Sequence, residues 1–190
     1  MSDFLMSCSC RGRRPKHVAS SATHSRPHLI ADLLRSRDVA RFLVAPTGFG
    51  KSTVAAEYAQ VVFSFRQTFW VNCESPCFLR DLDAGIIASR VAEISGAGSL
   101  VVFDDLPRMD ASRVEVFSEV VDELLAAGSE VLVTCTPTCD AYSDLHRDRV
   151  KLSARRFLLT DDEMKHTVRA TDSPHAKCRA ACVAWGSDRS

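Results

Sequence analysis

The sequence predicts an α/β protein: a three-layer α/β/α sandwich around a mainly parallel, five-stranded sheet. Three observations lead there. Short apolar runs alternate with segments of helical length; a glycine-containing loop joins the first run to the helix after it; and a later, uninterrupted apolar run ends in two aspartates.

Taken in order, residues 1–25 carry the basic run Arg11-Gly12-Arg13-Arg14-Pro15-Lys16, several serines and no apolar period, which predicts a flexible basic arm. Such a run either touches nucleic acid or an acidic partner, or is simply solvated. From Arg26 the pattern changes, and one domain is expected over residues 26–160. His28 to Leu34 has apolar residues at helical spacing, and Arg41-Phe42-Leu43-Val44-Ala45 reads as a short buried strand. Ser52 to Val62 is helical in composition, with Val54, Ala55, Tyr58 and Ala59 able to share a face. Thr68 to Asn72 is strand-like, and Leu79 to about Ile94 reads as one helix. Ser99 to Asp104 has the continuous apolar character of a strand buried on both faces. Val114 to Ala127 predicts an amphipathic helix closed by Gly128, Glu130 to Thr134 a further strand, and Val150-Lys151-Leu152 the last one. This alternation implies parallel strands joined by right-handed crossovers, in an order that spacing does not fix. Thr160-Asp161-Asp162-Glu163 is a capping-box pattern that leads into residues 161–190, which are expected to hold a short helix that opens a truncated following domain.

Composition narrows the function. With 24 basic and 24 acidic residues, no overall field draws the chain toward nucleic acid or an acidic membrane. No stretch approaches the roughly 20 apolar residues of a membrane span, and Met1 to Met6 lacks the order of a secretory signal, so a cytoplasmic protein is expected. The eight cysteines fall in pairs, Cys8 and Cys10, Cys73 and Cys77, Cys135 and Cys139, Cys178 and Cys182. Three pairs have three residues between them, wider than the spacing of zinc ribbons and knuckles. They are therefore read as free thiols or small apolar side chains rather than as metal ligands or disulfides.

The chemistry concentrates in Ala45-Pro46-Thr47-Gly48-Phe49-Gly50-Lys51-Ser52, between a strand and a helix, as a phosphate-binding loop requires. Glycines let the chain turn sharply and aim successive N–H groups at phosphate oxygens, and the helix N-terminus adds positive potential. Lys51 is expected to reach the terminal phosphates, Ser52 to ligate magnesium, and Thr53 to support the turn. Ala45 stands where the strict pattern has glycine, a place where a small residue suffices. Leu100-Val101-Val102-Phe103-Asp104-Asp105 has the form of a Walker B element. Asp104 is assigned to the magnesium and Asp105 to the attacking water as general base, the alternative being a polar cap on the next helix. Thr134 and Thr136 either place a hydroxyl beside the terminal phosphate or serve ordinary loop chemistry. Arg155 and Arg156 either contact phosphate or form a solvated edge. ATP and Mg2+ are the expected ligands.

With these residues in place, the stretch from Arg26 to about Glu163 resembles the nucleotide-binding domain of STAND-class P-loop ATPases, specifically the MalT-like, large LuxR-type transcriptional regulators. The resemblance rests on Arg26-Pro27-His28-Leu29-Ile30, the loop from Ala45 to Ser52, Phe69-Trp70-Val71 followed by Phe78-Leu79, Val102-Phe103-Asp104-Asp105, Val131-Leu132-Val133-Thr134 and Phe157-Leu158-Leu159-Thr160-Asp161-Asp162-Glu163. It implies a switch in which ATP favours a self-associating form, with adenine near Arg26 and Pro27, and a regulatory protein as a further expected partner. Two departures bear on activity. The family commonly has Thr-Ser-Arg after the fourth strand where this chain has Thr134-Cys135-Thr136, so slow or absent hydrolysis is expected. The family also continues into a winged-helix region, helical repeats and a DNA-binding helix-turn-helix. No DNA-binding domain is expected in this chain, which reads as a truncated relative, a fragment or a stand-alone module. A small P-loop phosphotransferase, and a non-functional remnant, are the alternatives.

Overall fold

Five runs rich in Val, Leu and Phe pair into one sheet, and the helices between them close over both faces. The computed structural model describes residues 26–35, 39–62, 68–94, 98–139 and 149–158. The expected arm over residues 1–25 and the helix after Thr160 lie outside them. In chain order the elements are α1 (Pro27–Leu34), β1 (Ala40–Val44), α2 (Lys51–Val62), β2 (Thr68–Asn72), α3 (Phe78–Asp83), α4 (Ile86–Ile94), β3 (Leu100–Leu106), α5 (Ala111–Ala126), β4 (Glu130–Cys135), β5 (Arg149–Ser153) and a 3-10 turn (Ala154–Phe157). The strand order is β2-β3-β4-β1-β5 and every pairing is parallel, so the expected α/β sandwich is present with a wholly parallel sheet.

Period-two alternation sorts the strand side chains between two cores. On one face Ala40, Phe42, Val44, Val101, Phe103, Val131 and Val133 pack beneath α3, α4 and α5. On the other, Leu43, Leu100, Val102 and Leu132 pack beneath α1, α2 and Phe157 of the 3-10 turn. Phe103 and Phe117 meet edge to face at 5.0 Å, fixing α5 on the sheet.

Two local departures from the expected elements have clear causes. The single helix expected from Leu79 to Ile94 is two, because Gly85 at φ 68 ends α3 in the left-handed region, with its N–H donating to the Leu82 carbonyl at 3.0 Å. Helix α5 starts at Ala111, earlier than expected, because Asp110 caps it by accepting from the Arg113 N–H at 3.0 Å. Asp110, rather than Asp104 or Asp105, therefore supplies the polar cap of that helix.

Opposite the loop end of the sheet, Arg41 breaks the apolar pattern of β1 and is 1% exposed. Its guanidinium donates to the carbonyls of Leu33 and Val39 at 2.9 and 3.1 Å, pairs with Glu130 at 3.0 Å and lies 5.5 Å from the Tyr58 ring centre. The Tyr58 hydroxyl donates to the same glutamate at 2.8 Å, and burial, opposed by Arg41, holds this phenol protonated well beyond the usual tyrosine range. This network pins α1 and α2 to β1 and β4, so the start of α2 is presented from a fixed base.

Candidate functional site

The loop from Ala45 to Lys51 leaves β1 at the carboxyl end of the sheet, where ligands of parallel α/β folds bind. Ala45 continues the β1 ladder by donating its N–H to the Cys135 carbonyl at 3.2 Å, and Phe49 N–H donates to the Pro46 carbonyl at 3.4 Å. Gly48 and Gly50 hold φ of 88 and 81, which side-chain-bearing residues avoid, so the turn belongs to glycine at both places. Thr53 sits in the first turn of α2, and its side chain lies 4.0 Å from where a Cβ on Gly50 would stand.

Lys51, the first residue of α2, is 5% exposed. Its ammonium makes a 3.4 Å bond to the Pro46 carbonyl and lies 3.8 Å from Asp105 Oδ1. Both contacts are long for a buried cation, and a phosphate oxygen would satisfy it better. One residue on, Ser52 Oγ donates to Asp104 Oδ1 at 2.9 Å. The predicted loop and the predicted acidic strand end thus meet, although β4 lies between their strands.

A β-bulge makes both aspartates face the loop. Phe103 pairs with Val133 and Leu106 with Cys135, so two residues of β3, Asp104 and Asp105, stand opposite one residue of β4, Thr134. In a regular strand adjacent side chains point to opposite faces. Here the extra residue, Asp105 at φ 55, resets the alternation: Phe103 and Leu106 enter the same core while Asp104 reaches Ser52 and Asp105 reaches Lys51. Asp104 is 8% exposed and the Asp105 side chain 39%.

Oxygen ligands from a hydroxyl and a carboxylate suit a hard cation such as magnesium. Among the described residues no three of His, Cys, Asp or Glu gather as a ligand set, so an ion held by Ser52 and Asp104 needs phosphate and water for its remaining positions.

The other candidates separate. The Thr134 hydroxyl is buried and bonded to Asp104 and to the Asp105 N–H, a role the sequence reading did not assign. Thr136 bonds Thr138 at 2.8 Å. Arg156 pairs with Asp32 of α1 while Arg155 is exposed. Arg26 donates from its side chain to the Phe157 carbonyl at 3.0 Å and from its N–H to Glu57 at 3.1 Å, closing α1 against α2 and the 3-10 turn. Cys73, Cys77, Cys135 and Cys139 are free thiols, all within or against the core beneath α3 to α5. No described helix is long and apolar enough to cross a membrane.

No protein-family model matches the chain, and no curated protein does. Among solved structures, the chain is similar to a Signal Transduction ATPase with Numerous Domains (STAND) protein with a tetratricopeptide repeat sensor from Pyrococcus horikoshii, at 12% identity and a TM-score of 0.52 over 89% of this chain. The matched part is 28% of that protein, so this chain spans little more than a quarter of its length. Its likeness shows a P-loop NTPase-like fold. C. elegans PCH-2 matches at 13% identity and a TM-score of 0.44 over 76% of this chain and 44% of its own. A chain of the E. coli MS115-1 HORMA:CdnC:Trip13 complex matches at 14% identity and 0.38 over 67% and 47%.

Proposed function

We propose that residues 26–160 form a nucleotide-binding P-loop module that takes ATP with magnesium and acts as a nucleotide-dependent switch with slow or absent hydrolysis. The observation that carries this is the meeting of Lys51 and Ser52 with Asp105 and Asp104, at 3.8 and 2.9 Å, beside two glycines in left-handed conformations. Main-chain N–H groups between Thr47 and Thr53 and the Lys51 ammonium would neutralise the phosphates, with Ala45 and Pro46 shaping the loop that carries them. Ser52 and Asp104 would hold the magnesium, which neutralises charge on the phosphate oxygens when bound. Asp105, partly exposed at the same edge, would orient or deprotonate an attacking water.

The switch reading, adenine over guanine, and kinship with MalT-like LuxR-type regulators are supported by the sequence resemblance and fit the STAND-like fold. Slow hydrolysis follows from Thr134-Cys135-Thr136, which supplies no arginine after β4. Self-association or docking to a regulatory protein would be the output. Calorimetry with Mg-ATP and Mg-GTP on the folded wild type and on Lys51→Ala tests the core of the proposal. Wild type should bind, and Lys51→Ala should bind roughly ten- to a hundred-fold more weakly, the worth of a charged hydrogen bond. Absence of any heat of association with either nucleotide would sink it.

A further inference from the structure

Thr134 is the one residue of β4 that faces the two-residue bulge of β3, and its hydroxyl bonds both members of that bulge. It donates to Asp104 Oδ1 at 2.7 Å and accepts from the Asp105 N–H at 2.7 Å, and the side chain is 0% exposed. A hydroxyl has one proton to give. A residue that reads the terminal phosphate must offer that proton to the phosphate, and here it is turned onto a carboxylate instead.

Resting on the nucleotide reading above, we infer that Thr134 is a positioning residue for the divalent cation: its hydroxyl locks the β3 bulge so that Asp104 meets Ser52 and Asp105 meets Lys51 from one side. Three facts converge on it. Asp105 stands at φ 55, a conformation that a β-strand does not hold unaided, and its N–H is tied by Thr134. Asp104 Oδ1 receives two hydroxyl protons, from Ser52 at 2.9 Å and from Thr134 at 2.7 Å, which fixes the carboxylate plane relative to the loop. Without the extra residue, alternation would carry Asp105 toward the core beneath α3 to α5, where Leu106 now packs. A valine would fill the space of Thr134 but leave Asp104 without one donor and the Asp105 N–H without its acceptor.

The test is binding of a fluorescent ATP analogue in magnesium and in EDTA, with thermal melting as a check of folding. Partners that orient a metal ligand are typically worth ten- to a hundred-fold in metal affinity, so Thr134→Val should lose roughly that factor from the magnesium-dependent gain in binding. Its binding in EDTA, which relies on the loop and Lys51, should not weaken, because Thr134 acts on the two carboxylates rather than on the phosphate cradle, and loosening Asp105 from Lys51 can only tighten that binding. Thr134→Ser keeps the hydroxyl and should restore the gain. Should Thr134→Val fail to fold, Thr134→Cys takes its place, since a thiol is a weak donor, and the same loss is expected. A magnesium gain that survives in Thr134→Val or Thr134→Cys, or one lost equally in Thr134→Ser, overturns the inference alone. Folded wild type that binds in neither buffer overturns the nucleotide reading and this inference with it.

Discussion

Replacing Asp105 by asparagine should make nucleotide bind more tightly while turnover falls. In the ligand-free protein the Asp105 carboxylate lies 3.8 Å from the Lys51 ammonium and occupies the charge that a phosphate needs. At that distance a unit pair is worth about 4 kcal/mol with an effective dielectric of ~20 and about 1 kcal/mol in bulk water. The Asp105 side chain is 39% exposed, which places the value near the lower figure, and about 1 to 1.5 kcal/mol corresponds to roughly five- to twelve-fold in affinity. Removing the carboxylate also removes its repulsion of the phosphates, a change of the same sign. Asparagine tolerates the left-handed backbone as well as aspartate does, so φ 55 and the bulge should survive. Calorimetry with Mg-ATP reads the affinity and phosphate release reads the turnover, which should drop about a hundred-fold or more from its wild-type level if this carboxylate activates water. Folded Asp105→Asn that binds ATP no more tightly than wild type would refute the competition argument.

Two further outcomes probe the scaffold. Gly85→Ala should destabilise the fold by about 1 to 2 kcal/mol, lowering Tm by a few degrees, through backbone strain alone: nothing lies within 4 Å of the added Cβ, but φ is +68. ATP affinity should be unchanged, and Gly85→Asn should recover part of the loss; a Tm equal to wild type would remove the account of why α3 and α4 are separate. Arg113→Ala should destabilise the protein at neutral pH, with a penalty that disappears in acid. The Arg113 side chain donates two 2.8 Å bonds to Asp83, and both its N–H and the Ser112 hydroxyl bond Asp110, so both carboxyls are held below the usual aspartate range. A lowered folded-state value stabilises above the unfolded value of about 3.9 and stops doing so as pH falls through the folded value. The Tm difference between wild type and Arg113→Ala should therefore persist from neutrality down to about pH 4 and vanish below it. A difference that grows with acid would contradict this.

Period and punctuation made most of the architecture legible. Strands β1 to β4 were visible because each run is largely apolar on both sides and bounded by turn residues, β5 because Val150 and Leu152 alternate with polar neighbours, and the loop with Gly48, Gly50, Lys51 and Ser52 because phosphate binding demands those types at that spacing. Gly85 was a readable break whose cost an apolar period from Leu79 to Ile94 concealed. Strand order was not legible, since any order keeps the same alternation, and it is order that puts β4 between β1 and β3 and Thr134 beside Asp104. Nor was the bulge. One signal for it exists in the sequence: Leu106, apolar and three residues after Phe103, belongs to the same face only if one residue between them is extra.

The distribution of strain separates the two ends of the sheet. At the amino ends of β1 and β4, Arg41, Tyr58 and Glu130 satisfy one another and adjacent carbonyls in ordinary strand and helix conformations. At the carboxyl ends Asp105 stands at φ 55, the only non-glycine residue at positive φ among those described, whereas glycines take such angles at both ends, Gly48 and Gly50 here and Gly98 and Gly128 at the other. A left-handed aspartate is unfavourable by about 1 kcal/mol and persists only where neighbours over-determine it, as Thr134 does here. Folding alone gives no reason to place an aspartate there, because an apolar residue at position 105 of a regular β3 would enter the core without that strain. Presenting two carboxylates side by side to a buried lysine and a serine does give a reason, and it is a binding reason rather than a folding one.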